Sequence, residues 1–234
     1  MSLLAGLLCA ALGGVLGPAL AALSVQVPRA DATFGPARWS GVMLGRPAGR
    51  ARVVVVTMLA VVVLGLVGAG QGFRAELAPY LWLAASAVVL AVVDLDCHRL
   101  PNRLTFPLYG VGVVASGAIA LARHDAGPFV RGLIAAAAVF AAFFVLAFAG
   151  GVGFGDTKVA GALGLFLGPL GATAVLLGIL AGFLLGGLSA VALLIARRTG
   201  WRTEFAFGPA LLAGTLGIVV CARTLAAAGM TLGG

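Results

Sequence analysis

Seven carboxylates serve a chain of 234 residues: Asp31, Glu76, Asp94, Asp96, Asp125, Asp156 and Glu204. Two of them stand where charge is costly. Asp94 follows directly on the apolar run Ala87-Val88-Val89-Leu90-Ala91-Val92-Val93, and Asp156 closes Gly151-Val152-Gly153-Phe154-Gly155-Asp156 just ahead of another apolar stretch. Carboxylates at membrane depth are expensive and mark functional sites. Their environments would differ usefully. Asp156 opens a helix, where free N–H groups and the helix dipole favour the charged form; Asp94 ends one, where the dipole disfavours it. If the two share a site they cannot both ionise easily, and one of them is pushed up. The result is one base and one acid, as water attack on a peptide bond requires. In that arrangement Asp156 activates the water and Asp94 protonates the intermediate, or the pair titrates as a unit. Sequence separation alone leaves a second reading open, with Asp156 a helix cap and Asp94 an interfacial charge.

Other residues cluster around these two. Gly153 and Gly155 strip side chains from the approach to Asp156, as a hinge carrying it towards Asp94 or a plain glycine-rich loop would do. The spacing is G-x-G-x-G-D with no strand before it, which argues against a dinucleotide loop. Lys158 is the sole lysine beside 14 arginines, so a compact ammonium two residues after Asp156 is set to orient a carboxylate or carbonyl, or to anchor a helix end. Asp31, Glu76, Asp125 and Glu204 fall in connecting segments as solvated charges. Cys9, Cys97 and Cys221 are scattered without C-x-x-C spacing, so neither a disulfide framework nor a metal site is expected.

The composition says what must hold these residues. With 62% hydrophobic and 9% charged residues and a mean hydropathy of +1.16, the chain is far from a soluble domain. The fold expected is all-α and polytopic, with about eight transmembrane helices, a single membrane domain over 1–234 and no soluble domain. The spans read as 3–23, 53–70, 79–94, 104–122 and 129–148. Two more flank the turn Gly168-Pro169-Leu170-Gly171 within 158–196, and the last is 205–222. A polar loop at 29–52 is too short to be a domain. Met1-Ser2-Leu3-Leu4 has no basic stretch, which argues against a cleaved signal peptide. Eight spans put 11 of the 15 basic residues on one side and leave Arg74, Arg123, Arg131 and Arg223 on the other. The positive-inside rule makes the richer side cytoplasmic and both termini external. It also explains the net charge of +8 without nucleic acid.

The two motifs resemble those of the prepilin peptidases, or type IV leader peptidases, which are aspartic membrane proteases of the GxGD type. Their first motif looks like an aspartate at the end of a span followed seven residues later by Pro-Asn or Pro-Asp, here Asp94-Leu95-Asp96-Cys97-His98-Arg99-Leu100-Pro101-Asn102. Their second is G-x-G-D-x-K, here Gly153-Phe154-Gly155-Asp156-Thr157-Lys158, and Phe207-Gly208-Pro209 in the last span is a weaker match. The resemblance implies a catalytic core over about 78–222, with Asp94 and Asp156 catalytic. Gly153, Gly155, Lys158, Asp96, Pro101 and Asn102 would support catalysis or bind substrate, and Asp96 would meet a basic leader residue. The implied activity is an aspartic endopeptidase of the bacterial cytoplasmic membrane. It cuts the short basic leader from prepilin or pseudopilin precursors at the cytoplasmic face, just before their hydrophobic helix.

Many such proteins also methylate the new terminus with S-adenosylmethionine. The paired C-x-x-C motifs of their cytoplasmic loop are absent from 29–52, and Leu23-Ser24-Val25-Gln26-Val27-Pro28-Arg29 replaces an Asn-containing motif. The expectation is therefore peptidase activity without a required cofactor. Three other readings compete. A presenilin-like intramembrane protease would set its first aspartate deeper and after a tyrosine, where this chain has Val93. A cation- or proton-coupled transporter would set its acids at the bilayer middle. An assembly scaffold would keep the fold without the catalysis.

Overall fold

A computed structural model describes residues 2–30, 49–98, 100–150, 152–195 and 206–227. Most of the 29–52 loop, the basic run at 197–202, Asp31, Glu204, Arg99 and Gly151 lie outside the described residues. The described chain is helical throughout. The helices are α1 (Ser2–Ala30), α2 (Arg50–Gln71), α3 (Leu77–Cys97), α4 (Asn102–Arg123), α5 (Gly127–Phe148), α6 (Phe154–Leu167), α7 (Ala172–Ile195) and α8 (Gly208–Ala227). A single 3-10 turn, Gly168–Leu170, joins α6 to α7 at the Gly-Pro-Leu-Gly signal, and Gly171 follows it at φ 117°, a conformation open to glycine.

Seven of these helices are long and apolar enough to cross a membrane. The exception is α6, whose 14 residues rise only about 21 Å. Its ends nevertheless lie at opposite ends of the bundle. The first turn of α6, which holds Asp156, packs through Gly155 against Leu100, which also packs against Gly208 beside Asp94 near the C-terminus of α3. Phe166 in its last turn meets Tyr80 near the N-terminus of α3, with ring centroids 6.5 Å apart and the Tyr80 hydroxyl donating to the Phe166 carbonyl at 3.3 Å. Helix α6 thus runs antiparallel to α3, and every residue from Val159 to Leu167 is buried. A helix that is apolar all round belongs inside a bundle. Surrounded by longer helices, it does not have to match the bilayer thickness by itself.

The core packs Leu83, Ala87 and Leu90 of α3 with Leu163 and Leu167 of α6, Phe143 of α5 and Leu211 of α8. The hairpin of α1 and α2 closes on α3 through Leu20, Val56, Val89 and Val93. Alternation of direction gathers the ends of α1, α3 and α5 with the starts of α2, α4, α6 and α8 at one end of the bundle. Both motifs are there.

Candidate active site

Two helix starts and one helix end build the site. Helix α3 runs one turn past Asp94 to Cys97 and stops where His98 turns left-handed at φ 49°, its N–H donating to the Asp94 carbonyl at 2.8 Å. Pro101 then takes the extended conformation that precedes α4, and Asn102 begins that helix. The connection between α3 and α4 is therefore short.

Asp94 is buried, with 4% of its surface exposed. Its carboxylate accepts a hydrogen bond from the Gly208 backbone N–H at 3.1 Å. Gly208 opens α8, so the N–H that meets the carboxylate is one that the helix itself leaves without a partner. A Cβ on Gly208 would stand 2.7 Å from the same carboxylate oxygen, which leaves glycine as the residue that fits. The weak Phe207-Gly208-Pro209 match in the sequence is thus the third part of the site.

Gly153 caps α6 in an extended conformation, which makes Asp156 its third residue rather than the cap. An acidic side chain there can reach back to the N–H of the cap residue, and the Gly153 backbone is its hydrogen-bond partner. Burial, and then the charge of Asp94, outweigh that bond and push Asp156 up to about 6. The helix start alone would have pulled it the other way. The helix start therefore does not by itself make Asp156 the base, and the pair is best treated as one coupled unit. Neither glycine beside Asp156 has a positive φ. Gly155 lies in the first turn of α6 with its missing Cβ 3.4 Å from Leu100, so it serves close packing of the two motifs. Among the described residues of this stretch, the positive φ belongs to Gly150, at 77°.

Lys158 joins the motifs directly. Its Nζ donates to Asn102 Oδ1 at 3.0 Å, and the Tyr109 hydroxyl donates to its carbonyl at 2.7 Å. The lone lysine thus fastens α6 to the start of α4, beside the aspartates. Pro101 is buried beneath this link. Asp96 takes a different partner from the one the resemblance implies. It pairs with Arg52 of α2, and Arg52 also donates to Ser24 of α1 at 3.1 Å. A basic leader residue would have to compete with that guanidinium. In the sequence Arg52 counts only as an orientation charge, and its pairing across 44 positions leaves no local signal. Among the described residues, no group of three or more His, Cys, Asp or Glu side chains could hold a metal.

With this geometry in place, comparison with known proteins is informative. Residues 81–195, which hold both motifs, match the type IV leader peptidase family. The chain is also 31% identical over 163 residues to a prepilin leader peptidase/N-methyltransferase of Neisseria gonorrhoeae. That match takes in 68% of this chain and 54% of the relative, so the chain spans about half the relative's length. No solved structure matches.

Proposed function

Since residues 81–195 belong to the type IV leader peptidase family, we propose that this protein is a membrane aspartic endopeptidase that removes the basic leader of type IV prepilin or pseudopilin precursors. The observation that carries the proposal is the gathering of Asp94, bonded to Gly208, and the Asp156 turn at one end of the bundle, where Leu100 packs against both Gly155 and Gly208.

The pair enters the reaction with one shared proton. One carboxylate takes a proton from water as the water oxygen bonds to the scissile carbonyl carbon. The other carboxyl gives its proton to the tetrahedral intermediate. Collapse then breaks the C–N bond as the carboxyl that took the water proton passes it to the amine nitrogen, while the other carboxylate takes a hydroxyl proton back from the intermediate and restores the shared proton. The Gly208 N–H holds Asp94 in register throughout, and Lys158 with Asn102 fixes the turn that follows it. Catalysis by water and two carboxyls needs no cofactor. Methyl transfer from S-adenosylmethionine is left out of the proposal.

The substrate fits this location by its polarity. A leader ending at a hydrophobic helix places its junction at the membrane surface, level with interfacial aspartates. The richer set of basic residues supports a cytoplasmic setting for that surface, at the bacterial inner membrane. Asp96 meets a leader Lys or Arg when Arg52 gives way. The test is co-expression with a prepilin-like substrate. Wild type trims the leader, and Asp156→Asn, inserted at the same level, leaves it intact. A trimmed product from the variant would end this reading.

A further inference from the structure

At the end of the bundle away from the aspartates, the starts of α3 and α5 and the ends of α2, α4, α6 and α8 enclose a cavity of about 400 Å³, within the range of ligand pockets. Its lining changes character with depth. Arg74, Arg123 and Arg223 stand exposed at its rim, while Tyr80 and Phe166 are buried and Phe129 half-buried at its floor. The rim's charges are unequally matched. Arg123 pairs with Glu76, and Asp125 is engaged by the Gly127 backbone N–H at 2.9 Å. Arg74 and Arg223 have no carboxylate partner among the described residues. Arg223 donates to the Gln71 carbonyl at 3.4 Å, which holds its guanidinium over the end of α2.

These arginines are also three of the four basic residues assigned to the sparsely charged side. Their gathering around one opening is not explained by orientation, because the positive-inside rule disfavours arginine there. Two guanidiniums without a carboxylate partner above an aromatic floor make an amphipathic receptor: fork-shaped donors for a phosphate and apolar walls for a chain.

We propose that this cavity binds a phospholipid, with Arg74 and Arg223 holding the phosphate and the aromatic floor receiving an acyl chain. The shared chemistry is the phosphodiester with its hydrocarbon tail, so both phosphatidylglycerol and phosphatidylethanolamine are accepted. The bound lipid ties together helices of both halves of the bundle at the end where no catalytic contact holds them.

The experiment uses the full chain, delipidated in a nonionic detergent, with four probes: phosphatidylglycerol, phosphatidylethanolamine, diacylglycerol of the same chains, and inorganic phosphate. Native mass spectrometry counts retained lipid, and thermal unfolding reads its effect. The two phospholipids are expected to bind saturably at one site and raise the melting temperature, while diacylglycerol and phosphate do neither. The Arg74→Gln/Arg223→Gln double variant should weaken phospholipid binding by roughly tenfold or more, and the Arg74→Lys/Arg223→Lys variant should retain most of it. An equal shift from diacylglycerol would remove the arginines from the site, and an equal shift from phosphate would remove the lipid tail. Unchanged affinity in the double Gln variant would overturn the proposal, and the Lys variant separates loss of charge from loss of folding.

Discussion

Gly208 is the residue on which the position of Asp94 turns. Its N–H holds the carboxylate at 3.1 Å, and a methyl group in its place would stand 2.7 Å from the same oxygen. Gly208→Ala should leave insertion intact and lower leader cleavage by roughly tenfold to a hundredfold, since a displacement near 1 Å at a reacting group costs about that much. Cleavage assays at matched protein levels check it. Asp156 makes a prediction about stability. Burial and the Asp94 charge hold it protonated up to about 6, whereas in the unfolded chain it ionises at the ordinary carboxylate value. The fold therefore favours the protonated form. That contribution is complete below the unfolded value and is lost as pH rises through about 6. Asp156→Asn, which cannot ionise, should raise the melting temperature at about pH 8 and leave it nearly unchanged at about pH 4. Both aspartates can be picked out from sequence because each interrupts apolar surroundings. The weight of burial at Asp156 cannot, because it depends on which helices close over it.

At the scale of elements, α6 is where sequence and structure differ most informatively. Its apolar run reads as a full span, but the Gly-Pro-Leu-Gly turn ends it after 14 residues. Hydropathy measures how apolar a helix is, and a central helix can be apolar for lack of any contact with water as easily as for contact with lipid. The other boundaries shift outward for a related reason. Arg50, Arg52, Asp96 and Arg123 read as loop charges, yet all four lie within helices, because long charged side chains reach the surface from a helix end. The charges mark the limit of the apolar stretch while the backbone hydrogen bonding continues. At Lys158, α6 is tied to α4 by the ammonium bond to Asn102 and by the Tyr109 hydroxyl on its carbonyl. Lys158→Met should lower cleavage about tenfold, and Asn102→Asp, which keeps an acceptor for the ammonium, should cost less. Equal losses in the two variants would show that the link does not depend on acceptor chemistry.

The whole molecule is organised by its two ends. Asp94, Asp156, Lys158 and Gly208 lie at one end, beside helix starts. The opposite end carries Arg74, Arg123, Arg131 and Arg223. Cys97, exposed one turn beyond Asp94, reports which end faces which compartment. In a variant with Cys9 and Cys221 replaced, a membrane-impermeant maleimide should label Cys97 in inverted vesicles and not in spheroplasts. The reverse pattern would invert the orientation. The alternation of spans and the sidedness of charge can be read along the chain, whereas the Arg52–Asp96 pair cannot, since it joins helices whose register only packing sets. The most direct test is single-turnover cleavage of a leader-bearing substrate by purified wild type, Asp94→Asn, Asp156→Asn and the double variant, each shown to be folded. Groups that act as a unit fail together: each single variant should lose roughly a thousandfold or more, and the double variant should be no worse than either. Losses that multiply in the double variant, or a single variant cleaving near the wild-type rate, would contradict a catalytic Asp94–Asp156 pair.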